Sequence, residues 1–341
     1  MTAKEALKTY FGYDDFRPLQ AEIVQSVLNG RDTLALMPTG GGKSLCFQVP
    51  TMAMNGLCLV ITPLIALMKD QVENLRRRDI RAAAIYTGMN YEQQKTALDN
   101  CMWGPYHFLY VSPERLESEE FRERLSRLPI SLIAVDEAHC ISQWGYDFRP
   151  SYLKIAEIRD LIKGVRVPIL ALTATATPQV VEDIQDRLAF RQKHVLRKSF
   201  QRSNISYVVR QTNKKVDEIV HILSRVAGSA IVYVRNRQRA QAIADYLIEK
   251  GLSADFYHAG LTAKERTTKQ ELWKKGDMRV IVATNAFGMG IDKPNVRVVI
   301  HHDLPDTLEA YFQEAGRAGR DEQQAFAVLL YDPSVDKAKA R

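Results

Sequence analysis

The chain has 341 residues, 46% of them apolar and 26% charged, with a formal net charge of +7. That length exceeds one ordinary hydrophobic core and sets an expectation of two domains, and the composition excludes a disordered or fibrous chain. The cationic excess favours a polyanionic partner, although a solvated surface carries similar charge.

Cys46, Cys58, Cys101 and Cys140 are widely spaced, with no C-x-x-C pair. Neither a disulfide framework nor a zinc site within this chain is expected, and the thiols fit a reducing cytoplasm. The opening MTAKEALKTYFGYDDF has no apolar stretch of signal-peptide length. The longest apolar run, GLCLVITPLIALM at 56–68, is interrupted by Thr62 and Pro63 and is too short to span a bilayer, so no membrane partner is expected.

In chain order, apolar runs recur at 32–37 (DTLALM), 56–62 (GLCLVIT), 107–112 (HFLYVS), 131–136 (SLIAVD) and 168–173 (PILALT). Runs without polar alternation predict strands buried on both faces of a parallel sheet. Between them lie helical stretches with start signals, such as Pro63 before LIALMKDQVENLRR and Thr177-Pro178 before QVVEDIQDRL. The alternation predicts a doubly wound α/β domain. SFQRSN at 199–204 breaks the series, which restarts at 229–234, 253–258, 278–284, 296–302 and 325–331. The expectation is two such domains, 1–200 and 201–341.

The first run leads into PTGGGKS at 38–44 and then an apolar helix. Gly40, Gly41 and Gly42 let backbone N–H groups turn toward phosphate oxygens, and the helix N-terminus adds its positive dipole end. Lys43 would reach the β- and γ-phosphates and the Ser44 hydroxyl would hold Mg²⁺. A strict phosphate-loop pattern asks for Gly at position 37, where this chain has Met37. Such a site needs a second carboxylate for the metal and a group that orients the attacking water. Asp136 and Glu137, at the end of an apolar run, suit those two roles.

Directly after this pair comes CISQWGYDFRP, with Trp144, Tyr146, Phe148 and Arg149, residue types that stack on bases and hold phosphates. Near the C-terminal end, YFQEAGRAGRD places Arg317 and Arg320 three apart, expected on one helical face. A guanidinium reaching the γ-phosphate from another domain stabilises transition-state charge, and a nucleotide between two domains is the expected site.

Together these blocks resemble the RecQ family of superfamily 2 DNA helicases, over nearly the whole chain. YFGYDDFRPLQ (10–20) resembles the family's motif 0, MPTGGGKS motif I and TPLIALMKDQ (62–71) motif Ia. YVSPERL (110–116) follows, then DEAH (136–139) as motif II and LTATAT (172–177) as motif III. AIVYVRNR (230–237), ATNAFGMGIDKPNVR (283–297) and QEAGRAGRD (313–321) resemble motifs IV, V and VI. DEAH-type RNA helicases share motif II but differ in motif III and lack the aromatic loop.

The resemblance implies two RecA-like domains with ATP and Mg²⁺ in the cleft between them, and 3′→5′ translocation on single-stranded DNA that unwinds forked duplex. Gln20 would read the adenine edge, with Arg17, Thr39 and the loop glycines also binding nucleotide. Asp292, with Gly288 and Gly290, would serve the ribose and the domain interface. His139, Ser142, Trp144, Phe148 and Arg149 would couple DNA to hydrolysis. Lys69, the Arg76–Arg78 run, Arg235, Asn236 and His258 are further candidates for DNA-backbone contact. A monomeric core in the cytoplasm, associated with a bacterial nucleoid, is expected.

Two positions depart from the family pattern. Tyr146 stands where members usually carry His. Most members also continue into a four-cysteine zinc module and a winged helix, for which no residues follow here, so a truncated core or an unusually short member is expected.

Overall fold

The computed structural model describes residues 1–336 apart from Thr39, Tyr146, 163–166, Thr175, Lys198, Phe200, 288–292 and the side chain of Ala263. The chain divides into two units, Met1–Phe200 and Gln201–Arg341.

Among the described residues, the first unit holds seven strands: β1 (Thr33–Leu36), β2 (Leu57–Ile61), β3 (Ala82–Ile85), β4 (Phe108–Val111), β5 (Ile130–Val135), β6 (Ile169–Thr173) and β7 (Val195–Arg197). They form one sheet in the order β3-β4-β2-β5-β6-β1-β7, with every pairing parallel. Successive residues face opposite sides, and both sides are buried. Leu34, Leu36, Leu59, Ile133 and Val135 pack in one layer, while Ala35, Val60, Leu132, Ala134 and Leu170 pack in the other. Helices cover both faces, which is why the strands read as unbroken apolar runs. The helix Ile65–Arg76 follows Pro63, and Thr177 caps Pro178–Arg187 by accepting from the Val180 N–H.

The second unit repeats this plan with β8 (Ile205–Gln211), β9 (Ser229–Tyr233), β10 (Ala254–Tyr257), β11 (Val280–Ala283), β12 (Val296–His301) and β13 (Ala325–Tyr331). Their order is β10-β11-β9-β12-β13-β8, again all parallel. Two apolar layers, one around Trp273, Phe287 and Val299 and one around Val232, Val282 and Ile300, sandwich the sheet. Among the described residues no helix is long and apolar enough to cross a membrane.

Candidate active site

In such sheets, chemistry gathers beyond the carboxyl ends of the strands. β1 is buried throughout and hydrogen-bonded on both sides, by β6 and β7, so the loop leaving it starts from a fixed point. Met37 continues the ladder through its N–H to the Thr173 carbonyl at 3.0 Å and is fully buried, its Sδ 3.6 Å from Cys46 Sγ. Position 37 therefore serves packing, and the turning is done by Gly40 and Gly42, at φ +79° and +76°. A Cβ at Gly41 would lie 2.9 Å from the Pro38 carbonyl, and one at Gly42 2.3 Å from Gln20 Nε2. The close approach admits no side chain.

The carbonyls of this loop are held from motif 0. Arg17 Nη1 donates to Gly40 O at 3.0 Å, and Gln20 Nε2 to Gly41 O and Gly42 O at 3.3 and 3.1 Å. Gln20 Oε1 accepts from the Arg17 N–H at 2.9 Å, and the side chain is buried. Its amide is thus bound to the phosphate loop, and reading an adenine edge requires those bonds to exchange. Thr39 lies outside the described residues. Lys43 and Ser44 open the helix Leu45–Met54, with the Lys43 ammonium 3.7 Å from Glu137 Oε1.

The acidic pair ends β5, between β2 and β6. Asp136 extends the ladder by donating its N–H to Ile61 O at 2.9 Å. Glu137 then adopts the left-handed region at φ +48°, an uncommon conformation for a side chain of this size, and turns the chain into the short helix Ala138–Ile141. Asp136 Oδ1 accepts the Glu137 N–H at 3.0 Å, and the buried Thr62 hydroxyl stands at the end of the neighbouring strand β2. Burial, then the Glu137 charge, lift the Asp136 pKa above the usual carboxylate range against the pull of Lys43. The half-buried Asp136 carboxylate and the Ser44 hydroxyl are hard-oxygen donors of the kind that suits Mg²⁺, which would relieve this charge crowding.

β6 lies between β1 and β5, so Thr173 at its end stands between the phosphate loop and the acidic turn. Its hydroxyl is 2.9 Å from His139 Nδ1, which is also 3.4 Å from Glu137 Oε2. His139 is buried, and burial lowers its pKa despite the neighbouring glutamate, which favours the neutral imidazole. Glu137, His139, Thr173 and Met37 thereby lie in one line of close contacts across three adjacent strand ends.

The aromatic loop folds back on this line. A Cβ at Gly145 would sit 2.5 Å from the His139 carbonyl, and buried Ser142 accepts the Trp144 N–H at 3.2 Å. Trp144 is 66% exposed and Phe148 half-buried. Arg149 is turned inward: its Nη1 is 3.5 Å from Pro63 O and 3.7 Å from Glu114, and its Nη2 3.3 Å from Asp147. It joins the loops after β2 and β4 to the aromatic loop. Tyr146 lies outside the described residues.

In the second unit one expectation is corrected. Arg317 and Arg320 do not share a helical face, because the helix Leu308–Ala315 ends at Gly316 and both arginines lie in the turns that follow. Gly319 at φ +55° breaks the helical path, and side chains bind the carbonyls of Gly316, Ala318 and Gly319. Arg317 is buried with its charge near the Tyr233 phenol, which donates to Phe287 O at 2.8 Å. Gly288, Gly290 and Asp292 lie outside the described residues.

Several basic candidates serve the fold. Arg76 donates to Ala82 O, Arg77 pairs with Glu73, and Arg78 donates to the carbonyls of Tyr10 and Phe11. Lys69 lies over the Tyr86 ring at 4.7 Å, Arg235 pairs with Asp306, Asn236 caps the helix Arg237–Glu249, and His258 stacks on Phe256. Thr173 and Thr62 were not singled out by the sequence reading. The hydroxyls at the ends of two apolar runs were the available signal.

The chain matches the family model described as DEAD/DEAH box helicase over residues 17–184 and that described as helicase conserved C-terminal domain over 212–322. It is 43% identical over 334 residues to the ATP-dependent DNA helicase RecQ of Pasteurella multocida, covering 98% of this chain and 52% of the relative. It is 42% identical over 337 residues to the probable ATP-dependent DNA helicase RecS of Bacillus subtilis, covering 97% of this chain and 67% of the relative. The chain spans about half the length of the RecQ relatives it matches. Among solved structures, the DUF1998 helicase MrfA bound to DNA aligns with a TM-score of 0.80 at 20% identity, over 97% of this chain and 50% of that one, a likeness of fold. Both parallel-sheet units are RecA-like, and the chain belongs to the RecQ family of ATP-dependent DNA helicases.

Proposed function

We propose that this chain is an ATP-dependent 3′→5′ DNA helicase core, with Met1–Phe200 as ATP-binding domain and Gln201–Arg341 as helicase C-terminal domain. The observation that carries the reading is the contact of Lys43 with Glu137, continued through His139 to Thr173. It joins the phosphate-binding lysine, the carboxylate placed to activate water, and the strand between them.

In this reading Lys43 leaves Glu137 for the β- and γ-phosphates when ATP binds, and the freed carboxylate accepts a proton from the attacking water. A water oxygen bonds to the γ-phosphorus, the bond to the bridging oxygen breaks, and ADP and phosphate leave. Ser44 and Asp136 would hold Mg²⁺, which supplies charge neutralisation at the phosphates when bound. Arg317 and Arg320 act on the transition-state charge, a contribution of ~10³–10⁵ in rate for such arginines. Trp144 and Phe148 meet the bases of one strand, and the turn at Gly145 links them to His139. Stacking contributes ~1–3 kcal/mol per base, against ~1.4 kcal/mol to unstack one base pair. Stacking therefore grips DNA without driving it, and direction comes from the ATP cycle. The substrates are single-stranded and forked duplex DNA, acted on by a monomer in a bacterial cytoplasm.

The test is release of a labelled strand from duplexes tailed at either end. Unwinding that needs ATP and a 3′ tail, and is lost in Lys43→Ala, is expected. Equal unwinding from a 5′ tail, or by Lys43→Ala, would contradict the reading. DNA-stimulated ATP hydrolysis without strand release would instead identify a translocase.

A further inference from the structure

Arg202 and Asn204 stand at the very start of the second unit, between its boundary at Gln201 and β8. Neither belongs to the motifs read in the sequence, yet both side chains reach across the unit to the turn that carries the motif VI arginines. Arg202 Nη2 donates to Gly319 O at 2.8 Å and Ala318 O at 3.2 Å, and its Nη1 lies 3.4 Å from Gly316 O. Asn204 Nδ2 donates to Gly319 O at 2.7 Å and Gln323 O at 2.9 Å. The acceptors flank Arg317 and Arg320 on both sides in sequence.

The fit is close. Gly319 sits at φ +55°, and a Cβ there would lie 2.5 Å from Asn204 Nδ2 and 2.8 Å from Gln323 O. Asn204 is itself anchored, since its carbonyl accepts the Ala325 N–H at 2.9 Å and sets the register of β8 beside β13. A planar guanidinium presents parallel donors that one turn's carbonyls can share, which a flexible ammonium does less well. The turn has left the helix: Gly319 O accepts the Glu322 N–H at 3.0 Å, and the two side chains add further donors to the carbonyls of the turn.

We propose that Arg202 and Asn204 are positioning residues for hydrolysis, holding the turn that presents Arg317 and Arg320 and tying it to the junction with the first unit. The proposal rests on the reading of those two arginines as the transition-state cations. A displacement of about 1 Å in such groups costs ~10²-fold in rate. Because the phosphate loop is in the other unit, the clamp bears on turnover and leaves nucleotide affinity alone.

The experiment measures DNA-stimulated ATP hydrolysis by the whole chain carrying Arg202→Gln, Asn204→Asp or Arg202→Lys, with thermal unfolding recorded for each. Arg202→Gln and Asn204→Asp should lower kcat by ~10²-fold with KM for ATP unchanged, and Arg202→Lys should recover part of the loss. Arg202→Gln placed on Arg320→Ala should add little, because both act through one group. A folded variant with parental kcat, or losses that add in full, would overturn the proposal. If Arg202→Gln does not fold, Asn204→Asp, which keeps size and reverses donor to acceptor, decides it alone. If Arg317→Ala and Arg320→Ala keep parental kcat, the transition-state reading falls and the positioning role with it. If they lose kcat while the clamp variants do not, the positioning role alone falls.

Discussion

Replacing Trp144 by Ala removes an indole that is 66% exposed and whose backbone N–H, not its ring, makes the bond to Ser142. Folding stability should change by no more than ~0.5 kcal/mol, as for other exposed sites. The loss should appear in DNA instead. One stacked base contributes ~1–3 kcal/mol, and each ~1.4 kcal/mol is tenfold in affinity, so half-stimulation should need roughly 5- to 150-fold more single-stranded DNA. Hydrolysis without DNA should be unchanged, since Lys43, Asp136 and Glu137 keep their contacts. The assay is a coupled ATPase titrated with oligonucleotide, alongside a thermal melt. Parental half-stimulation in the variant would refute the coupling role of this loop.

Thr173→Val keeps shape but deletes the hydroxyl 2.9 Å from His139 Nδ1, both side chains being buried. Weakening a buried bond of this kind costs ~1–3 kcal/mol. At ~2–4 °C per kcal/mol for a domain of this size, calorimetry should show the first unit melting ~2–12 °C lower, with reduced stimulated turnover, and an unchanged melt would count against the bond. Asp303 supplies a pH prediction. Burial would raise its pKa, but the approach of His302 Nδ1 at 3.2 Å, the hydrogen bond from the Arg235 N–H and the charge of Arg239 outweigh it and hold the carboxyl well below its usual range. A depressed pKa stabilises the fold above the ordinary carboxylate value of ~4 and ceases to do so as pH falls below it. Asp303→Asn should flatten the acid limb of the second unit's stability below about pH 4, and an unaltered slope would contradict this.

Most of the strands legible in the sequence are buried on both faces, the half-buried edge strand β10 being an exception. The run at 131–136 became β5 and that at 168–173 became β6, shifted by a residue at most, because two covered faces demand unbroken apolar residues. The strands that escaped notice, β3, β7 and β8, lie at sheet edges. β3 is AAAI, whose alanines favour helix as readily as strand, and β7 spans three residues. β8 exposes Tyr207 and Val209 on one face, so it alternates instead of running apolar. At the candidate site, Lys43 and Glu137 were picked out by the local phosphate-loop and acidic-turn patterns and His139 by the family resemblance, and the folded chain brings the three together. Arg149 was read as a DNA contact, but its charge faces Asp147 and Glu114, and only the folded chain brings Glu114 near. The helix proposed for Arg317 and Arg320 failed for a similar reason. Its competitors for the carbonyls, Arg202 and Asn204, are more than a hundred residues away in sequence.

The central claim is that Glu137 activates water for hydrolysis while Lys43 and the phosphate loop hold the nucleotide. Glu137→Gln keeps size and removes the charge that faces Lys43 at 3.7 Å. Measured with saturating single-stranded DNA, kcat should fall by ~10²–10⁴-fold, the usual contribution of a positioned general base, while a fluorescent ATP analogue binds at least as tightly as to the parent. Parental kcat in this variant, with nucleotide bound, would contradict the account.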